Sequence, residues 1–283
     1  MMVQMISVIV CAKNNEKTIE KALKAIFSSP CPLPREVIVI DGCSKDRTVE
    51  ICKRFPVKIV SDEGRGLAYA RDLGWRISSG EFIAYCDADK EIEHMWFIKM
   101  LKALSKSNVA GVTDVPLVKC KSALDYMRCG YAWAFYYAHK VLERLLGNVM
   151  KIRTGNSMWK RKCLEEVGGF CPKFKGFGED MDISVRLVRK GYSLLVSDAV
   201  NWCLDEPTLP ERIRISIRQG RAVKLCVKMR GSSAFMPINR LFTLIVGIFM
   251  TPRVVIKTRS ILSSLWPLWL MIITLAQLIG LIA

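Results

Sequence analysis

The first ninety residues alternate between two periodicities, and this limits the folds open to the chain. Short β-branched and apolar runs stand at residues 6–11, 37–40, 57–60 and 82–86. Between them lie stretches with apolar residues at helical spacing. Over residues 18–28, Ile19, Ala22, Leu23 and Ile26 fall on one helical face. Thr18 stands where an N-cap would, and Pro30, Pro32 and Pro34 end the pattern. Two further helices are expected over 47–55 and 66–78. Strands alternating with helices of this length predict βαβ units, an α/β class and a mostly parallel, Rossmann-like sheet.

In such a sheet, ligands bind beyond the carboxyl ends of the strands. Polar residues at those ends are therefore the first candidates for function. The first strand runs into Lys13-Asn14-Asn15-Glu16, the second into Asp41-Gly42, and the fourth into Asp87-Ala88-Asp89. Two carboxylates at a strand end suit a hard divalent cation, which uses one or two carboxylates and completes its shell with phosphate and water oxygens. The plainer reading is that they cap the following segment. Asp41 could accept hydrogen bonds from a ribose or base, or simply form an Asp-Gly turn. Arg71 lies on the helix before the fourth strand, where it could face a diphosphate or solvent.

Charge and cysteine usage narrow the function classes. The chain has 283 residues and a formal net charge of +17, which favours anionic partners: nucleic acid, phosphate-bearing substrates or an anionic membrane face. No nucleic-acid-binding motif accompanies the charge, so no nucleic-acid partner is expected. The eleven cysteines contain no C-x-x-C pair, and there are only two histidines, His94 and His139. A zinc site and a disulfide framework are therefore not expected. Nor does the N-terminus carry a basic region followed by a long apolar run, so no signal peptide is expected.

The second half reads differently. A strand pair is expected over 109–118. Residues 122–150 follow a helical rhythm with an aromatic-rich face, either for packing or for an acceptor or membrane surface. Three carboxylates within four residues, in the segment GFGEDMD, open a helix over 183–189. They suit either macrodipole compensation or a general base. Arg212, Arg214, Arg218, Arg221, Lys224, Lys228 and Arg230 then make the chain basic. Residues 261–283 carry no charge, enough to cross a bilayer, with Trp266 and Trp269 near their start and Arg253, Lys257 and Arg259 before them. By the positive-inside rule the preceding domain is cytosolic, at a cell membrane. A second apolar run, 241–256, is short for a span and is interrupted by Thr251-Pro252-Arg253.

Taken together, SVIVCAKNNEKTIEKAL, EVIVIDGCSKDRTVEIC, GLAYARDLGWRISSGEFIAYCDADKEI, GNSMWKRKCLEEVGGF and GEDMDISVRLVRKGY resemble the family 2 glycosyltransferases of the GT-A fold. The resemblance spans residues 6–202. It departs from the family pattern at Cys11, Lys13 and Asn15, where proline, tyrosine and glutamate are usual. It implies an inverting sugar transfer from a nucleotide-diphospho-sugar donor, with a divalent metal, manganese or magnesium, at the Asp-x-Asp. By this likeness Cys11, Ala12, Lys13, Asn15, Asp41, Arg71, Asp87, Ala88, Arg218 and Arg221 contact the donor. Asp87 and Asp89 hold the metal. Asp180 is the general base, with Glu179 and Asp182 as fallbacks, and Asn156 and Glu179 meet the acceptor. The expected layout is a GT-A domain over 1–236 and a membrane-associated segment over 237–283 with a transmembrane helix at about 261–283. The expected acceptor is a lipid-linked or glycan one at the cytosolic membrane face. A non-catalytic membrane-bound nucleotide-sugar binding protein of the same fold is the alternative.

Overall fold

A computed structural model of the chain describes residues 5–33, 35–147, 151–174, 176–230 and 235–282. Pro34, the end of the helix expected over 122–150, and Ala283 lie outside them. The βαβ alternation is realised as β1 (Ile6–Ala12), α1 (Ile19–Ser28), β2 (Arg35–Asp41), α2 (Thr48–Cys52), β3 (Lys58–Ser61), α3 (Leu67–Arg76) and β4 (Phe82–Tyr85). Then come β5 (Lys90–Ile92), α4 (Trp96–Leu104), β6 (Val109–Leu117), α5 (Ala123–Leu146), β7 (Ser157–Lys160), α6 (Arg161–Val167), α7 (Glu179–Arg189) and β8 (Ser193–Cys203). The chain ends with α8 (Leu209–Arg230), α9 (Phe235–Thr258), a 3₁₀ turn (Ile261–Leu265) and α10 (Trp266–Ile282).

The strands form one sheet in the order β3-β2-β1-β4-β7-β6-β8-β5. The parallel pairing expected from the alternation holds for β1–β4, with Ile6 opposite Arg35 on one side and Phe82 on the other. Beyond β4 the sheet turns antiparallel: β7 pairs against both β4 and β6, and β5 against β8. The sheet is therefore mixed. The stretch expected to make a strand pair is the single strand β6. The reason lies in β7, a four-residue strand inserted between β4 and β6 from a distant part of the chain.

Packing explains the runs. In β1, Ile6, Val8, Ile9 and Val10 are all fully buried, and α1 lays Ile19, Ala22, Leu23 and Ile26 on the core as its periodicity predicts. Thr18 stands at the N-cap position but makes no side-chain capping bond. Its hydroxyl reaches back to the Asn15 carbonyl instead. Gly74 of α3 faces Ile9 so closely that a Cβ there would overlap the isoleucine side chain, and glycine lets the helix approach the strand. Further along, buried Asp114 of β6 accepts hydrogen bonds from Trp96 Nε1 (2.8 Å) and Asn201 Nδ2 (2.8 and 2.9 Å). These tie α4 and β8 to the sheet. Burial pushes the Asp114 carboxyl up to about 7, against the pull of the Arg153 guanidinium.

The chain divides into two compact units, and not at residue 236. The first comprises residues 1–114 and 151–205; the second, 115–150 and 206–283. The aromatic helix α5 belongs with the C-terminal helices because its apolar face needs them. In the second unit, α5 packs against α9, the 3₁₀ turn and α10, and α8 packs against α10. α5 starts with a reciprocal cap, Ser122 with Asp125, and ends at Gly147 in the left-handed region. Gly130 of α5 has the Ser263 carbonyl where a Cβ would go.

The single helix expected over 261–283 is interrupted. Ser260 caps the 3₁₀ turn, and α10 begins only at Trp266. Its 17 residues span about 25 Å at 1.5 Å per residue, short of the ~30 Å of a bilayer core. Residues Ile261–Ile279 are long and apolar enough to cross a membrane, but 39% of the stretch is buried within the protein. Trp266, Trp269, Leu270 and Ile273 point inward, and Gln277 Nε2 donates to Gln219 Oε1 of α8 at 2.7 Å. α9 runs through Pro252 without the break that Thr251-Pro252-Arg253 suggests.

Candidate active site

All the residues in this site belong to the first unit. An open pocket lies where β1, β2 and β3 end. It is lined by Cys11 and Ala12 at the end of β1, Lys13 just after it, Gly42 after β2, and Asp62, Gly64 and Gly66 between β3 and α3. Asp41 sits beside it with its carboxylate turned to its own turn, accepting from Ser44 N at 3.2 Å. Asn15 also builds the loop: its Oδ1 accepts from Lys13 N at 2.8 Å, and its own N–H donates to Thr48 Oγ1. Desolvation pushes the Cys11 thiol up to about 12, so the wall at that point is a neutral thiol.

Asp62 is the residue that sequence reasoning missed. It is buried, and its Oδ1 accepts from Gly64 N at 2.8 Å, tightening a turn in which Gly64 and Gly66 have positive φ. The signal was present: Asp62 follows the third strand as Asp41 follows the second.

The Asp-x-Asp follows the end of β4. Asp87 donates its backbone N–H to Asn156 Oδ1 (3.0 Å), and its carboxylate lies 3.5 Å from Arg71 Nη2. Ala88 is buried. Asp89 is held by its backbone, whose carbonyl accepts from Leu204 N, while its carboxylate faces Lys90 Nζ at 3.4 Å. Burial, seconded by the like charge of Asp87, raises the Asp89 carboxyl above its usual range, with Lys90 opposing. Lys90 Nζ also sits 2.6 Å from Cys203 Sγ on the neighbouring strand.

Asn156, expected at the acceptor, is instead buried, with φ +48°, and serves the Asp87 backbone. Its neighbour Gly155 cradles the Asp87 carboxylate: a Cβ there would land on it. Gly155→Ala is therefore expected to displace Asp87 and weaken donor binding on the order of tenfold to a hundredfold, with the circular dichroism spectrum unchanged. A donor titration checks this, and unaltered binding would mean that Asp87 has no part in it.

The GFGEDMD segment begins α7, with Gly178 in the left-handed region ahead of it. Its three carboxylates take three different environments. Glu179 is 4% exposed and paired with Arg71 Nη1, so it has no open face toward an acceptor. Burial raises its carboxyl, and the Arg71 charge is the main opposing influence. Asp182 is fully buried and bonded to Arg186 (3.0 and 2.5 Å), which in turn holds the carbonyls of Val167 and Gly169. Asp180 alone of the three is partly exposed. It accepts from Met181 N at 2.8 Å and pairs with Lys151 Nζ at 3.1 Å. Lys151 is a second residue that the sequence pattern did not single out. Arg71, expected at the diphosphate, is enclosed between Glu179 and Asp87. Burial works to lower its pKa, and those two carboxylates outweigh it and raise it. Arg218 and Arg221 stand exposed on α8 in the second unit.

Among the described residues there is no cluster of three or more histidine, cysteine or acidic side chains that could cage a metal. The Asp-x-Asp offers an oxygen-only pair instead. That fits a hard cation which takes one or two protein carboxylates and leaves the rest of its shell to a bound diphosphate and water.

A fold of this kind, with acidic residues at the strand ends around a pocket, is that of a GT-A glycosyltransferase. The glycosyl transferase family 2 profile matches residues 7–168, more than half of the chain, and the chain belongs to that family. It is a nucleotide-sugar glycosyltransferase. The glycosyltransferase AglE of Haloferax volcanii is 27% identical over 225 residues, 76% of this chain and 72% of that one. The cholesterol galactosyltransferase of Borreliella burgdorferi is 31% identical over 115 residues, 39% of this chain and 31% of that protein's length. Among solved structures, the mannosyltransferase PcManGT of Pyrobaculum calidifontis, in complex with GDP-Man and Mn2+, superposes with a TM-score of 0.66. That match has 18% identity and covers 98% of this chain and 86% of that one.

Proposed function

We propose that the chain is a metal-dependent, inverting glycosyltransferase that moves a hexose from a nucleotide-diphospho-sugar to a lipid-linked acceptor at the cytosolic membrane face. One observation carries the catalytic part. Arg71 touches both Asp87 and Glu179, the residue next to Asp180, so the Asp-x-Asp and the partly exposed carboxylate of α7 belong to one charged cluster. The pocket at the ends of β1–β3 receives the nucleoside, with Lys13 and Asp62 on its walls. Asp87 and Asp89 hold a manganese or magnesium ion with the diphosphate; the ion supplies Lewis-acid stabilisation of the leaving diphosphate. Asp180 takes the proton of the acceptor hydroxyl as that oxygen attacks the anomeric carbon from the opposite face. The mannosyltransferase structure with GDP-Man and Mn2+ supports this reading.

Screening nucleotide sugars by thermal shift, with and without manganese, tests it. One donor is expected to stabilise the protein, more with the metal, and to release nucleoside diphosphate when acceptor is added. Stabilisation without turnover on any acceptor would favour a binding protein of the same fold.

The membrane part rests on the second unit. Ile245, Ile248 and Phe249 of α9, and Leu268, Met271 and Leu275 of α10, are exposed apolar side chains. Arg253, Lys257 and Arg259 are exposed in the same stretch of chain. Apolar residues together with basic ones suit an anionic bilayer surface, each basic residue adding about 1 kcal/mol. Because its other face is packed on α5 and α8, α10 is read as lying against the membrane rather than crossing it alone. The anionic surface of the cytoplasmic leaflet supports a location at the cytosolic face. The relative named for a cholesterol acceptor supports an apolar acceptor. Cutting the chain near residue 236 would strip α5 of its partners, so point changes make the better test. Phe249→Glu with Met271→Glu is expected to reduce flotation with anionic vesicles severalfold. It is expected to leave transfer to a water-soluble acceptor intact. Undiminished flotation at high salt would refute this surface.

A further inference from the structure

Arg71 carries one positive charge and serves two carboxylates. Its side chain is 7% exposed. Nη1 donates to Glu179 Oε1, while Nη2 stands 3.5 Å from Asp87 Oδ1. The second distance is longer than the roughly 2.7–2.9 Å of a full charge-assisted hydrogen bond. Glu179 is the closer partner, and its other oxygen, Oε2, is buried with no hydrogen-bond partner. The backbone around Arg71 is fixed, since Tyr85 Oη of β4 donates to the Arg71 carbonyl at 2.9 Å. The guanidinium can therefore shift between its two carboxylates by side-chain rotation, with α3 staying in place. Glu179 does not line the nucleotide pocket.

We propose that Glu179 and Arg71 are a positioning pair that sets how much negative charge Asp87 presents to the metal–diphosphate: Glu179 draws the guanidinium away from Asp87. The proposal rests on the metal reading above. With Glu179 neutral, Asp87 becomes the remaining carboxylate partner of Arg71, and the 3.5 Å gap leaves room for a tight bond. A cation at Asp87 then competes with a guanidinium. Removing both buried charges leaves Asp87 free again and no unpaired charge behind.

The test measures free Mn2+ by electron paramagnetic resonance, with UDP or GDP present, at fixed pH. Wild type is expected to bind Mn2+ with one of these nucleotides. Glu179→Gln, of the same shape, is expected to bind it about tenfold more weakly. The double variant Glu179→Gln with Arg71→Gln is expected to return to wild-type affinity or better, a rescue that a merely structural pair does not give. Wild-type affinity in folded Glu179→Gln, or a double variant as weak as the single one, overturns the proposal. Should Glu179→Gln not fold, Glu179→Asp carries the comparison, because its shorter carboxylate retreats from Arg71 and weakens binding in the same direction. If wild type binds no Mn2+ with either nucleotide, the metal reading itself fails and the proposal falls with it.

Discussion

Asp180→Asn is expected to lower the rate of sugar transfer by roughly two to four decades, the usual contribution of a positioned base. Donor affinity is expected to stay near normal. Asparagine keeps the shape at the start of α7 and the acceptor oxygen that Met181 N–H uses at 2.8 Å, so the helix start is preserved. What it loses is the capacity to take a proton, together with the ion pair to Lys151. The two neighbouring carboxylates cannot substitute. Glu179 is enclosed against Arg71, and Asp182 is fully buried on Arg186. Their variants therefore fail in distinguishable ways: Asp182→Asn is expected to loosen the α6–α7 loop and lower thermal stability, while Asp180→Asn leaves it unchanged. Measuring nucleoside diphosphate release with acceptor, beside a donor titration, separates the effects. Full activity in Asp180→Asn would remove the base from this loop.

How far the sequence could be read follows from which interactions are local. Most of the four strands and three helices of the first ninety residues were legible because their apolar runs and helical faces are buried locally, as in β1 and α1, although the short β3 buries none of its residues. The strand ends were legible for the same reason, since their chemistry lies within a few residues of a strand. The antiparallel half was not, because β7 is four residues long and takes its place between β4 and β6 through long-range pairing. The roles of Arg71, Asn156 and Glu179 were also hidden. Each is polar and stands near the site in sequence, yet each is buried on a partner at least 69 residues away. Only tertiary contact tells a ligand-facing carboxylate from one that holds an arginine. The packing of the tail was hidden for a related reason. An uncharged run looks alike whether lipid or three helices cover it, and the buried Trp266, Trp269 and Gln277 face the helices.

Asp89→Ala is expected to abolish metal-dependent donor binding, a loss of roughly a hundredfold or more. The two carboxylates of the Asp-x-Asp are not equivalent. Asp87 already shares the Arg71 charge and is seated on Gly155, so part of its negative charge is answered within the protein. The Asp89 carboxylate faces Lys90 Nζ at 3.4 Å, and that ammonium is also engaged by Cys203. Burial and the like charge of Asp87 disfavour the ionised form of Asp89, and a divalent cation held by these carboxylates would relieve the repulsion. With no third acidic, histidine or cysteine side chain clustered there among the described residues, losing Asp89 leaves one protein carboxylate, and Arg71 competes for it. Nucleotide alone is expected to retain weak affinity in Asp89→Ala, because the pocket at the ends of β1–β3 is untouched, but added manganese is expected to bring no gain. In wild type, a chelator is expected to reproduce the variant, and restored manganese to reverse it. Donor titrations in both proteins, with manganese and with chelator, give four affinities. If the chelator leaves binding and transfer unchanged in wild type, the Asp-x-Asp is not a metal site, and Asp87 and Asp89 serve only to cap the turn after β4.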